Sequence, residues 1–347
     1  MTGQIEISQQ QHQLDIMRAI GKDANDRASA GVFADYTARR APNTTKRQRA
    51  DLDLFARMLA TVGIETSGAV LQAYAESWRG MTWGIVDAFQ KWMLLHGYAV
   101  GSVNVRLSTV KTYAGLAHQS GNLDTSEYAL IKGVKGFTYR DGANIDDRRA
   151  TTRIGTKKAE SVALTSAQVK ALKNDHEDTP QGRRDAVIMT LLLDHGLRCG
   201  ELAMLMVTAF NFDKGTFTFW REKVGKEQTH KLTQDSMRAI CAYFDSGDAP
   251  ALGTLLRAST KGGSLTHAGM SQRAITKRVN HLGETLAAVA CLSAHDARHS
   301  WATRAAPHTD PFVLQEAGGW NSLAMPRRYI EAAVIANERL HLGDDSS

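Results

Sequence analysis

Cysteine and proline are scarce in this chain, with three Cys and six Pro among 347 residues. Cys199, Cys241 and Cys291 are far apart, odd in number and form no C-x-x-C pair. That argues against a disulfide framework or a zinc cluster and makes a reducing cytoplasm the expected setting. With glycine at an ordinary level and proline rare, collagen-like and Pro-rich classes are excluded. Long apolar runs are also missing. The longest, Ala186 to Leu193, is interrupted by Thr190 and falls far short of the ~20 residues a membrane span needs. Met1 to His12 is polar and lacks an apolar core segment, so no signal peptide is expected. The chain has no G-x-x-x-x-G-K-[ST] phosphate loop, no H-E-x-x-H, no acidic D-x-D cluster at a strand end and no Cys/His cluster, so neither a bound nucleotide, a metal nor another cofactor is expected. Lys261-Gly262-Gly263-Ser264 reads as an ordinary loop.

What is present is enough apolar material, 43% of residues, to build real cores. The length calls for two domains, since one core rarely serves more than about 250–300 residues. Lys and Arg number 42 against 36 Asp and Glu, a net charge of +6, which hints at a polyanionic partner.

Along the chain, residues 1–43 are polar and Gln-rich. They read as a partly disordered extension with a short helix near Leu14 to Ile20. Leu52, Phe55, Met58 and Leu59 recur at helical spacing before Gly63. Val86, Phe89, Trp92 and Met93 do so before Gly97, and Val103, Leu107, Val110 and Leu116 do so within Ser102 to Gln119. This predicts an all-helical unit over 44–131. Residues 132–163 are Gly-dotted and rich in Lys and Arg, a basic linker suited to lie along a phosphate backbone or simply to be solvated. A second unit over 164–330 starts with Thr165 as N-cap. An apolar helix follows from Arg184 to Asp194, then an alternating strand Thr216 to Arg221, a Val224-Gly225 turn and a returning strand Gln228 to Leu232. From Asp235 onward the pattern reads as helices with short loops. Residues 331–347 form a short amphipathic tail. The fold class is therefore mainly α, an N-terminal helical bundle followed by a mixed α+β domain with a small antiparallel sheet.

Taken singly, the candidate chemical residues are unremarkable. Arg198 after the apolar helix reads as a helix-end charge or a partner for Glu201. His295 and Arg298, three apart, share a helix face. Lys223 reads as a hairpin lysine, Trp320 as a packing residue, and Tyr329 as one of eight tyrosines.

The joint order is more specific. Gly196-Leu197-Arg198-Cys199-Gly200-Glu201-Leu202 is followed by Lys223 at a β-turn, by His295-Asp296-Ala297-Arg298-His299-Ser300-Trp301, and by Leu314-Gln315-Glu316-Ala317-Gly318-Gly319-Trp320. Tyr329 lies nine residues beyond that Trp. This constellation resembles the tyrosine recombinase (phage integrase) family over about 164–335. In most members of that family a His fills the position of Trp320; a Trp there resembles the Cre branch.

The resemblance implies a two-domain DNA clamp. It also implies a catalytic set of Arg198, Lys223, His295, Arg298, Trp320 and Tyr329, with Glu201 orienting an active-site arginine or histidine. Two fixed guanidiniums suit the charge that builds on a phosphorane. The Tyr329 oxygen replaces a deoxyribose oxygen as a 3′-phosphotyrosine, and a lysine protonates the leaving 5′ oxygen. Lys223 is favoured for that role over Lys226 and Lys231. His299 reads as structural, and Arg327 and Arg328 as phosphate contacts or partners of Glu331. Candidate DNA contacts are Arg106 and Lys111 on the helical unit and Arg273, Lys277 and Arg278 on the second, each equally readable as a solvated cation. The implied partners are double-stranded DNA with inverted-repeat sites, three further copies in a homo-tetramer on DNA (a monomer when free) and accessory DNA-bending proteins, with no membrane. The expected setting is the cytoplasm, at the nucleoid when DNA is bound. A type IB topoisomerase or telomere resolvase with the same chemistry, and a non-catalytic DNA-binding protein on the same scaffold, remain as alternatives.

Overall fold

The computed structural model describes residues 2–149 and 162–331, with side chains described over 11–149 and 162–330. The chain divides into two compact units, Met1–Lys157 and Lys158–Ser347. Arg153, Lys157 and Lys158 of the basic linker, and the amphipathic segment from Ala332 onward, lie outside the described residues.

Among the described residues the first unit's elements are all helical: α1 (Thr2–Ala38), α2 (Pro42–Ala60), α3 (Gly68–Ala73), α4 (Trp83–Leu95), α5 (Val100–Gln119), α6 (Thr125–Gly133) and α7 (Tyr139–Asp146). The expected helices at 52–59, 83–96 and 102–119 are α2, α4 and α5. Their apolar stripes meet in a core of Leu52, Phe55, Trp78, Phe89, Val110 and Tyr113, in which Phe55 and Phe89 pack edge-on at 4.9 Å. Two local expectations are corrected. The N-terminal extension, read as partly disordered, is one 37-residue helix. Among the described side chains its C-terminal end packs on the core, through Phe33 with Val32 and Tyr36, while Leu14, Met17 and Ile20 are exposed. The stretch read as irregular linker contains α7, started by a capping box between Thr138 and Asp141.

The second unit runs α8 (Ser166–Asn174), α9 (Pro180–His195), α10 (Cys199–Ala203), β1 (Phe210–Asn211), β2 (Thr216–Arg221), β3 (Lys226–Lys231), α11 (Gln234–Asp245), β4 (Arg257–Ser259), β5 (Leu265–Gly269), α12 (Gln272–Ala287), α13 (Ala294–Ala305), α14 (Pro311–Gly318) and α15 (Ala324–Glu331). β1, β2 and β3 form an antiparallel sheet in that order, and β4 pairs with β5. The β2–β3 hairpin was expected; the β4–β5 pair was not, since that region read as helical. Helix α9 is the axis of the core: Val187, Ile188, Leu191 and Leu192 are buried against Phe217, Ile240, Ile275 and Val279. A smaller cluster of Trp301, Ala302, Ala306, Leu314 and Tyr329 joins α13, α14 and α15. No helix of the described residues is long and apolar enough to cross a membrane.

Candidate active site

Helix α9 ends at Gly196 in the left-handed conformation, φ 59°, where a side chain would collide with the Trp301 ring. The chain then turns at once into α10, with Arg198 at its N-cap. The Glu201 carboxylate accepts from the Arg198 backbone N–H at 2.8 Å and from Arg198 Nη1 at 2.7 Å. This fixes the arginine against its own helix start. Arg198 Nη2 then donates to the Gly319 carbonyl at 2.7 Å.

Arg298 comes from α13, whose start is set by a capping box between Ser293 and Asp296. The other carboxylate oxygen of Asp296 accepts from the Val162 N–H at 2.9 Å. The Arg298 guanidinium is buried, donates to the carbonyls of Gly196 and Gly318, and lies 4.8 Å from the centroid of the Trp320 ring. Burial, followed by the nearby cations Arg198 and Arg221, pushes its pKa down to about 9, still high enough for a full charge at neutral pH.

Helix α14 ends in a left-handed Gly319, φ 58°, and the next residue is Trp320. Its ring is 5.7 Å from that of Tyr329. Tyr329 is buried on α15, with the His299 ring edge-on at 4.9 Å. Burial raises its phenol pKa, opposed by the charges of Arg298 and Arg328, so the resting phenol is protonated. The structure thus brings Arg198, Glu201, Arg298, Trp320 and Tyr329 together around the Gly318-Gly319-Trp320 segment. His295 is exposed one turn before Arg298 on α13. Lys223 is exposed in the β2–β3 turn. Lys226 instead pairs with Glu316 at 2.6 Å.

Sequence reading missed Arg221. Its fully buried guanidinium donates to Glu201 at 2.9 and 3.2 Å and to the Ala317 carbonyl at 2.6 Å, and reaches Gln228 Oε1. The signal was in the strand: Phe217, Phe219 and Arg221 share its inward phase.

The proposed DNA contacts divide by environment. Arg273 and Lys277 are exposed on α12. Arg278 on the same helix is turned inward to the buried Asp185, 2.6 Å away. Lys111 donates to the carbonyls of Lys132 and Val134 at 2.7 and 2.8 Å, and burial lowers its pKa. Arg106 lies over the Tyr98 ring at 4.9 Å and near Asp51 at 3.9 Å.

The phage integrase family pattern matches residues 163–334. Tyrosine recombinase XerD of Pseudomonas aeruginosa is 26% identical over 68% of this chain and 83% of its own. Tyrosine recombinase XerC of Bifidobacterium longum subsp. infantis is 23% identical over 84% and 89%. Among solved structures, the Tn1549 transposon integrase in complex with transposon right end DNA superposes with a TM-score of 0.54 at 15% identity, over 80% of this chain and 94% of that one. A lambda integrase dimer bound to a COC′ core site gives 0.50 at 14% identity, over 80% and 96%. The second unit of this chain, with its arginine pair and tyrosine gathered at one loop, belongs to the phage integrase family, that of the tyrosine recombinases.

Proposed function

We propose that the protein is a site-specific DNA recombinase that cuts and rejoins double-stranded DNA through a tyrosine intermediate. The observation that carries this is the convergence of Arg198, Arg298, Trp320 and Tyr329 on one loop. Each guanidinium holds five N–H donors; Glu201 and the glycine carbonyls take some of them, leaving others for phosphate oxygens. Preorganised donors of this kind are each worth about 10²–10³ in rate. His295 and the Trp320 indole add further donors.

The Tyr329 oxygen forms a bond to phosphorus as the bond to the deoxyribose 5′ oxygen breaks, leaving a 3′-phosphotyrosine and a free 5′-hydroxyl. The phenol gives its proton to solvent water, Lys223 gives one to the leaving oxygen, and Lys223 takes a proton back from solvent. The ester keeps the energy of the broken bond, so rejoining needs no nucleotide. The helical unit 44–131 and the second unit 164–330 hold the duplex, joined by the basic 132–163 linker. The protein acts as a tetramer on inverted-repeat sites, with accessory DNA-bending proteins, in the cytoplasm.

The test is Tyr329→Phe on a nicked suicide substrate. The variant binds DNA as the native chain does and traps no covalent complex; an adduct formed by the variant overturns the assignment.

A further inference from the structure

The alternating strand Thr216–Arg221 places an arginine where a third core phenylalanine would sit. A buried guanidinium needs hydrogen-bond partners to offset its burial, and here each of its three nitrogens has one. Arg221 bonds Glu201, Gln228 and the Ala317 carbonyl. Its main chain is equally committed: the Arg221 carbonyl accepts from the N–H groups of Val224 at 3.1 Å and Gly225 at 2.9 Å, so the turn bearing Lys223 is folded onto this residue. Two more hairpin side chains reach the same place. Lys226 Nζ bonds the Glu316 carboxylate at 2.6 Å, and Gln228 Nε2 bonds the Glu316 carbonyl and, at 3.2 Å, its carboxylate. All three supply donors to the last turn of α14: Arg221 to the Ala317 carbonyl, Gln228 to the Glu316 carbonyl and Lys226 to the Glu316 carboxylate. A Cβ on Gly319 would lie 2.4 Å from Arg221 Cδ, so arginine and loop are in direct contact.

We propose that Arg221 is a positioning residue: it locks the β2–β3 turn to the Ala317–Trp320 loop. The group that protonates the leaving oxygen thereby keeps one register with the arginines that hold the phosphate. This rests on the proposed chemistry, with an acid carried by the β2–β3 turn, which that reading assigns to Lys223. Arg221 touches no reacting atom; its effect passes through the turn on one side and through Glu201 and the loop on the other.

The test separates acid catalysis from every other contribution. In a substrate whose scissile 5′ bridging oxygen is sulfur, the Tyr329 O–P bond forms and the P–S bond breaks. The thiolate, with a parent thiol pKa near ~8.5, leaves without a proton. Single-turnover cleavage is measured on oxygen and sulfur substrates for the native chain, Arg221→Met, Arg221→Lys and Lys223→Ala, with DNA binding and thermal melting as controls. A displaced acid costs about 10²-fold. Both Arg221 variants and Lys223→Ala are therefore slowed by about that factor on oxygen, yet cleave the sulfur substrate within about threefold of the native rate.

Equal slowing of the Arg221 variants on both substrates, or no slowing on either, overturns the proposal. If Lys223→Ala alone lacks the sulfur rescue, the Lys223 assignment falls while the positioning role stands. If Arg221→Met melts early, Gln228→Leu, which leaves the Arg221–Glu201 pair in place, must show the same oxygen-specific loss; its absence overturns the proposal equally.

Discussion

Glu201 holds the site's charge balance at the scale of single residues. One buried carboxylate accepts from Arg198 on its own helix start and from Arg221 on β2. Both arginines are thereby fixed before any phosphate arrives. Glu201→Gln removes the shared anion and leaves two guanidiniums close together. The expected cost is about 3 kcal/mol of stability in urea denaturation, together with slower cleavage.

The site arginines and the tyrosine were legible as an ordered motif, because short loops and caps deliver them. Arg221 was not, because an arginine ending an exposed-looking hairpin is ordinarily a solvated charge. Only its inward phase distinguishes it. A second pair was also unread: His195 and His230 are held neutral, with pKa values of about 4 and about 3, first by burial and then by the cationic neighbour Lys173 in one case and by His195 itself in the other. Their folded values lie below the unfolded value of about 6.5, so the unfolded state binds more protons as pH falls. The stability this confers is complete above about pH 6.5 and is lost as pH falls toward 4. Urea midpoints measured from pH 7 to pH 4.5 should drop, and the drop should shrink in His195→Asn, which has no titrating group.

At the scale of elements, the loop between α14 and α15 is where sequence and geometry meet most tightly. Gly319 has φ 58° and abuts Arg221, so both backbone conformation and space demand glycine. Gly319→Ala is expected to strain the loop by about 1–3 kcal/mol and to reduce covalent-complex formation on a suicide substrate while leaving DNA affinity near native. Equal loss of both would mean that the loop supports the whole domain rather than the reacting centre.

Long periodic helices such as α2, α4, α5 and α9 were readable from their apolar spacing. The β4 and β5 strands were not, since Arg257–Ser259 and Leu265–Gly269 are three and five residues long and lack a β-branched alternation. Helix α1 was misread for the opposite reason. Its sequence carries no apolar stripe, and its described core contacts, Val32, Phe33 and Tyr36, gather at the C-terminal end.

For the whole molecule, a chain of net charge +6 with exposed Arg273 and Lys277 is expected to bind DNA chiefly through phosphates. The logarithm of its affinity should fall with log salt by about 0.9 per phosphate neutralised. Arg273→Ala and Lys277→Ala should each lower that slope by about one, whereas Arg278→Ala, which leaves the buried Asp185 with Arg184 as its remaining arginine partner, should mainly lower stability. A site-specific recombinase leaves a target-free supercoiled plasmid intact; robust relaxation of such a plasmid would indicate a swivelling topoisomerase instead.

The central claim is that one phenol, packed on the Trp320 ring near the Arg298 charge, becomes joined to DNA. The direct measurement is to trap the native protein on a nicked target duplex, digest the adduct, and locate the attached nucleotide by mass spectrometry. The account predicts a 3′-phosphate esterified to Tyr329. A nucleotide on any other residue, or a link through a 5′-phosphate, would contradict it.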